Sequence, residues 1–344
     1  MSIPTLTLSP SEISYIQTSL SHPDTPTRLD GRSLLDSRGI EVAYNIFPHA
    51  NGSARVKIGN TEVIAGIKLE VVDYTPVSSS TSSGTVKPGS ESWRGRVDVD
   101  ITPQSFPSAQ PNALSSLSTY LSSIISSQFL PSIPSFPITT TKYFQPQLHL
   151  SLLSSDGNIL TALIIASRSA FADLKIPKIK VIQWTGESES ESNAGGGGVI
   201  GKGDLSGIKA AISTRRKGKY VTKGNEDWDL DLSGDGEGLG YMEGREKLPV
   251  LITLNLVPNS DNIFIDSTAQ EESACPSKLH LFFSASTTPS MSSSGNKPES
   301  KLKICGIRFE GGQSIDASRI KGLLEEGSRI AKELIDELNT SLPK

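Results

Sequence analysis

Asp98 and Asp100 have the spacing that most directly suggests chemistry. Two residues apart on a strand, they point to one face. A carboxylate pair there could hold a metal ion or move protons. No further ligand stands near them in sequence, so a polar sheet face is the favoured reading. Gly196-Gly197-Gly198-Val199-Ile200-Gly201-Lys202 has the spacing of a phosphate-binding P-loop, but Gly203 stands where Ser or Thr should hold magnesium. No strand leads into these glycines and no amphipathic helix follows, so the dipole and donors of a phosphate cradle are missing. Lys209, Arg215, Arg216, Lys217, Lys219 and Lys223 could bind RNA phosphates or act as a localisation signal. An acidic block follows at once, from Glu226 to Glu237. Blocks of opposite sign attract each other, which favours a solvated linker. Cys275 and His280 are close in sequence, but no second pair completes a metal site.

Composition narrows the class. The chain has 344 residues and a net charge of -4. That length buries a substantial core as one or two domains. The charge excludes nucleic-acid binding by bulk positive potential and leaves room for a local basic track. Cys275 and Cys305 are the two cysteines and offer no disulfide framework. The N-terminus lacks a basic region followed by an apolar run, so no signal peptide is expected. No apolar run reaches the length of a membrane span.

Hydropathy patterning supplies the elements that must position these groups. Ser9-Pro10-Ser11-Glu12 reads as a capping box opening a short helix with Ile13, Ile16 and Leu20 on one stripe. Val56 and Ile58, then Val63, Ala65, Ile67, Leu69 and Val71, alternate around the turn Gly59-Asn60, predicting a hairpin. Residues 75–92 read as a loop. Val97, Val99 and Ile101 mark a strand, Leu114 to Ile125 a helix, and Leu148, Leu150 and Leu152 another strand. The turn 155–158 leads to a second helix marked by Leu160, Leu163, Ile164, Phe171 and Leu174. Strands return at 249–256, 279–283 and 304–309, with a Ser/Thr/Pro loop over 286–300. A long helix from Ile320 to Leu338 closes the chain. Interleaved strands and helices predict a layered α/β or α+β protein. Residues 185–248 break the pattern with serine, glycine and charge, and read as a disordered insertion.

Several segments, in order, carry a family resemblance. They are Arg28-Leu29-Asp30-Gly31-Arg32, then Ser37-Arg38-Gly39, Asn51-Gly52-Ser53, Gly59-Asn60-Thr61-Glu62-Val63, Asp156-Gly157-Asn158 with Ala162 and Ala166, and Ile265-Asp266-Ser267-Thr268-Ala269-Gln270-Glu271-Glu272. This order resembles RNase PH-fold proteins, and among them the ring subunits of the RNA exosome. The resemblance implies an α+β protein of RNase PH-like fold with two βαβα-type halves, their mixed sheets packed on helices. It divides the chain into an N-terminal helix and lead-in (1–27), a first half (28–184), the insertion (185–248) and a second half (249–344).

Active relatives cleave the 3′ end of RNA with inorganic phosphate. The resemblance places their phosphate-binding Gly-Gly-Thr-Arg at Gly157-Asn158-Ile159-Leu160, where no guanidinium is present. It places their two aspartates at Glu272 and Lys278, and an ammonium cannot act as a carboxylate. The implied protein is therefore a non-catalytic ring subunit without a cofactor or metal. It would guide single-stranded RNA for 3′-to-5′ processing and degradation, including maturation of ribosomal RNA. Its implied partners are other RNase PH-like ring subunits, cap subunits with RNA-binding domains and an associated hydrolytic exoribonuclease, in nucleus, nucleolus and cytoplasm, away from membranes. Arg94 and Arg96 are the candidate RNA contacts. An active phosphate-dependent exoribonuclease, or a scaffold with no RNA role, remain the alternatives.

Overall fold

The computed structural model describes residues 6–73, 95–139, 142–182, 227–231, 238–286 and 301–343. Two sheets enclose one central helix. The first contains β1 (Ile40–Tyr44), β2 (Gly52–Ile58), β3 (Thr61–Asp73), β4 (Arg96–Ile101), β5 (Phe136–Pro137) and β6 (Lys142–Ser154). Its order is β1-β2-β3-β6-β4, with β5 beside β6. The predicted hairpin is β2–β3, and Ile58 faces Thr61 across the Gly59-Asn60 turn. Gly59 takes the positive φ that this turn needs. β4 runs parallel to β6, reached through α2 (Pro111–Gln128), so this sheet is mixed.

The second sheet contains β11 (Val250–Leu256), β12 (Ile263–Ile265), β13 (Lys278–Ser286) and β14 (Lys301–Glu310), in the order β12-β11-β13-β14. It is antiparallel throughout, whereas the sequence reading expected a mixed sheet. Its strands follow one another through hairpin-type connections, β11 to β12 and β13 to β14. Such connections reverse the chain and do not need a crossover.

α3 (Ile159–Ala172) lies between the sheets and touches β2, β3 and β11. Every residue of it is buried. A helix apolar on all sides belongs inside a protein. Each Leu, Ile or Phe so buried contributes about 1.5–3 kcal/mol relative to exposure. Its polar members are satisfied. The Ser167 hydroxyl donates to Leu163 O at 2.7 Å. Arg168 donates to Leu248 O, to Glu246 O and to Asn339 Oδ1. Burial lowers the Arg168 pKa to about 10, which leaves it charged at neutral pH. Arg168 thus ties the central helix to the end of α5 (Ala317–Thr340), the long helix on the second sheet.

α1 (Pro10–Ser21) opens on the predicted capping box, with Ser9 and Glu12 bonded reciprocally. It packs on α4 (Ala269–Ala274), and Ile16 and Leu20 join Phe264, Ala274 and Cys275 in a small second core.

Part of the expected insertion is ordered. β7 (Lys175–Pro177) pairs with β10 (Leu239–Tyr241), and β8 (Ile179–Ile182) pairs with β9 (Asp227–Leu230). Met242 and Leu248 are buried, and Trp228 stacks edge-on against Phe144. The low average hydropathy of 185–248 concealed these few apolar residues, which suffice to anchor two short ribbons. The expected loops and the remainder of the insertion lie outside the described residues. Among those described, no helix is long and apolar enough to cross a membrane.

Candidate functional site

The two RNase PH-like signature stretches, far apart in sequence, meet in space. Asp266 follows β12 and adopts φ +48°, a left-handed conformation that Asp tolerates better than most residues. Its carboxylate is clamped. Arg38 Nε donates to Oδ2 at 2.8 Å and Arg38 Nη2 to Oδ1 at 2.8 Å, a bidentate pair. Arg32 Nη1 adds a bond to Oδ2 at 3.0 Å, and Asn158 Nδ2 one to Oδ1 at 2.8 Å. Burial would push the Asp266 carboxyl up, but the hydrogen bonds and charge of Arg38, with Asn158, outweigh it and hold the pKa at about 2. Arg38 is raised in turn, because its bonds and charge contact with Asp266 exceed the opposing effect of burial.

Arg28 does the same one turn further on. It donates from Nε and Nη2 to the two oxygens of Glu271 at 2.9 and 2.6 Å, and to the carbonyls of Ile265 and Asp266. Both side chains are buried. Glu271 also completes a capping box with Thr268, which starts α4. The Thr268-Xaa-Xaa-Glu271 spacing was a legible sign of that helix.

Glu272 faces the other way, into the start of α3. Its Oε1 accepts from the backbone N–H of Asn158 at 2.8 Å, from the Ser267 hydroxyl at 3.1 Å, and pairs with Lys278 Nζ at 2.8 Å. Leu160, Glu272 and Lys278 line one small cavity, together with Tyr120, His280 and Glu310. The two positions where active relatives were expected to carry functional groups, Leu160 and Lys278, are thus neighbours in space. The side chains present are an aliphatic group and an ion pair. An anion placed at the first turn of α3 would compete with the Glu272 carboxylate for the same donor.

Beside them lies a network of residues that carry no local signature in the chain. The Tyr120 hydroxyl donates to Glu310, and Arg308 stacks on the Tyr120 ring while bonding Glu310 at 3.0 Å. His280 Nδ1 meets Thr253 Oγ1 at 3.0 Å, and its Nε2 lies 3.7 Å from Glu310. Burial would raise Glu310, but nearby His280, the hydrogen bond from Tyr120 and the charge and bond of Arg308 bring it down to about 2. Its members come from α2, β11, β13 and β14, and only folding brings them together.

The other candidates are not part of this site. Arg96 is exposed at the start of β4, opposite Gln147. Arg94, the Gly196–Lys202 run and the basic cluster 209–223 lie outside the described residues. Asp98 and Asp100 share an exposed face, with Asp98 3.7 Å from His149 Nδ1. Cys275 is buried among α1 and α4 residues, and burial, with Glu271 nearby, pushes its thiol to about 12. His280 belongs to the network with Thr253 instead.

Gly157 is a point of close backbone approach between the two halves. It has φ +82°, and a Cβ there would stand 2.5 Å from Ser267 O and 2.6 Å from the Thr268 carbonyl carbon. Gly157→Ala should therefore cost at least about 1–3 kcal/mol through the conformation alone. Backbone cannot retreat as a flexible side chain would, so the clash adds to that. Urea unfolding of the two proteins checks this, and an unchanged midpoint would refute the close packing.

Comparison with known proteins agrees with this geometry. Residues 36–177 match the model of the 3′ exoribonuclease family, domain 1. The chain is 24% identical, over 97% of its length and 98% of the relative's, to a protein of Dictyostelium discoideum named as the exosome complex exonuclease RRP42. It is 28% identical over 159 residues to the exosome complex component Rrp42 of Methanothermobacter thermautotrophicus. That match spans 45% of this chain and about half of the archaeal relative, 55%. In fold it is similar to a chain of the Archaeoglobus fulgidus exosome with RNA bound to the active site, with TM-score 0.59, 17% identity and coverage of 95% of this chain and 98% of that one. A chain of an archaeal exosome core gives TM-score 0.55 at 17% identity, covering 96% of each chain. Signature order, the family match over residues 36–177 and the fold make this chain similar to RNase PH-like proteins, with Rrp42-type exosome components among the relatives it resembles.

Proposed function

We propose that this chain is a non-catalytic subunit of an RNA exosome core ring, which closes the ring and guides single-stranded RNA toward a nuclease elsewhere. The observation that carries this reading is the self-occupied start of α3. Glu272 takes the Asn158 N–H, Lys278 neutralises Glu272, and Leu160 offers no guanidinium. Phosphorolysis needs an open set of donors around inorganic phosphate and carboxylates free for metal or proton handling. Here the carboxylates are spent on structure: Asp266 and Glu271 bind Arg38, Arg32 and Arg28.

The partners in this reading are like-fold ring subunits, cap subunits with RNA-binding domains and a hydrolytic exoribonuclease. The reading places the protein in nucleus, nucleolus and cytoplasm. Arg96, exposed at the start of β4, and Arg94 just before it are the proposed RNA contacts. Scattered cations of this kind suit a single-strand path on a protein of net charge -4.

Native mass measurement and crosslinking of the complex from source cells test the assignment. A closed heterologous ring requires different neighbours on two opposite sides of this chain. RNA crosslinks should cluster near Arg96. Recovery as a free monomer at gentle salt, without RNase PH-like partners, would overturn the reading.

A further inference from the structure

β14 ends the second sheet, and among the described residues no strand pairs with its outer side. The row of backbone N–H and C=O groups along such an edge is a template for another strand. The side chains point the same way. Ile304, Ile307 and Phe309 are 47, 50 and 39% exposed. With Leu302 they share one face, opposite Phe283, Leu281, Leu279 and Ala285 of β13 respectively. α5 packs over β11 and β13 and leaves this row exposed. A β-bulge brings the four together. Cys305 is the extra residue, inserted where the β13 partners step from Phe282 to Phe283. Without it, Leu302 and Ile304 would point away from Ile307 and Phe309.

The bulge also makes the strand complementary to itself. Two copies of β14 can pair antiparallel about an axis between Cys305 and Gly306. Leu302 of each then faces Phe309 of the other, and Ile304 faces Ile307. Side-chain pairs directly across an antiparallel ladder are the unit of sheet stabilisation. Sliding by one residue sets Lys303 against Ile307 or Phe309 and breaks the match. In the matched register Lys303 lies opposite Arg308, which is held by its own Glu310 at 3.0 Å. That carboxylate is the diagonal neighbour of Lys303, within reach of so long a side chain. Lysines and bulges on an edge usually discourage pairing; here the bulge falls on the axis and brings the apolar rows into register. On the other face α2 flanks the edge, with Gln128 against Gly306 and Tyr120 bonded to Glu310. The 18 residues of α2 include no charged side chain, so two copies of it approach without repulsion.

We infer that β14 is a self-pairing edge, through which the free chain forms a twofold dimer with its two four-stranded sheets joined into one. The occupant is a second copy because the strand's own register matches apolar with apolar on both sides of the axis. The inference goes beyond the ring reading and does not need it.

The test uses the purified full chain. Sedimentation equilibrium should show a dimer. Cys275 is buried, so Cys305 is the cysteine that an oxidant reaches. Strand spacing and rise set the two Cys305 Cα atoms about 6 Å apart, within disulfide range. Copper phenanthroline should therefore give a covalent dimer, and Cys305→Ser should abolish it. In the Cys305→Ser background, Ile304→Cys chains mixed with Ile307→Cys chains should cross-link well, because these positions face each other. Either chain alone should cross-link far less. Ile307→Lys should weaken the dimer at least about tenfold, since every substitution enters a twofold interface twice. Ile307 is half exposed, so the fold should survive, and far-UV circular dichroism checks this. A monomer at every concentration, a dimer that Ile307→Lys leaves intact, or mixed chains that cross-link no better than single ones would each overturn the inference. So would a chain that is monomeric alone and pairs through Ile307 only with a different RNase PH-like subunit. The ring assignment is decided separately, by native mass of the complex from source cells.

Discussion

Asp266→Asn should lower the free energy of unfolding by about 3–5 kcal/mol at pH 7, the usual cost of removing one partner from a buried ion pair. The reason is the arithmetic of the clamp. Arg38 and Arg32 both converge on this carboxylate, which is 4% exposed. Asparagine keeps the volume and tolerates the φ of +48° found here, so the loss reports charge and not backbone strain. Two guanidinium groups would then face a neutral amide in a place that water hardly reaches. The pH profile gives a second readout. The Asp266 pKa falls from an ordinary 3.8 to about 2 on folding. Stability from this group is fully present above pH 4 and is lost as pH falls through the folded value. A shift of that size is worth about 2 kcal/mol. Glu310 falls from 4.5 to about 2 and acts in the same window with the same sign. Wild type should therefore lose stability steeply between about pH 4.5 and 2, and Asp266→Asn should lose less over that span because the Asp266 contribution is gone while that of Glu310 remains. Urea denaturation at several pH values measures both. An Asp266→Asn protein as stable as wild type at pH 7 would show that the clamp is not a source of stability.

The clamp also shows where sequence reading reaches and where it stops. The order of Arg28, Arg32, Arg38 and the Asp266–Glu272 stretch was visible, and so was the family it resembles. Periodicity fixed the hairpin β2–β3, the helices α2, α3 and α5, and the strands β11, β13 and β14, because each carries a clean apolar repeat. What periodicity cannot state is which charges will meet. Arg38 and Asp266 are 228 positions apart, and nothing local in either segment encodes the pair. The same holds for Tyr120 with Glu310. The ribbons β7–β10 and β8–β9 escaped for a different reason. Their strands are three or four residues long, too short for a repeat to register above the surrounding serine, glycine and charge. Leu160 and Lys278 were singled out from two separate stretches by resemblance alone. Their meeting in one cavity is information that neither stretch contains.

That cavity underlies the second large effect. The unmodified chain, freed of contaminating nucleases, should release no nucleoside diphosphate from RNA in the presence of inorganic phosphate. Losing a single preorganised donor in an active site costs about 10²–10³ in rate, and on the proposed reading a phosphate-binding guanidinium and a free carboxylate are both missing here. Restoring side-chain types should not be enough. In Leu160→Arg with Lys278→Asp, the new guanidinium stands beside Glu272, which remains bonded to the Asn158 N–H and loses its lysine. The arginine would pair with that carboxylate and leave no opening for a dianion. The double variant should therefore stay inactive as well, since an active site must be preorganised and not merely present. Adding Glu272→Gln removes the competing charge, and this triple variant is the one in which inorganic phosphate should first bind, measurable by calorimetry before any activity returns. Phosphate-dependent shortening of RNA by the unmodified chain, at a rate that scales with phosphate concentration, would sink the non-catalytic reading outright.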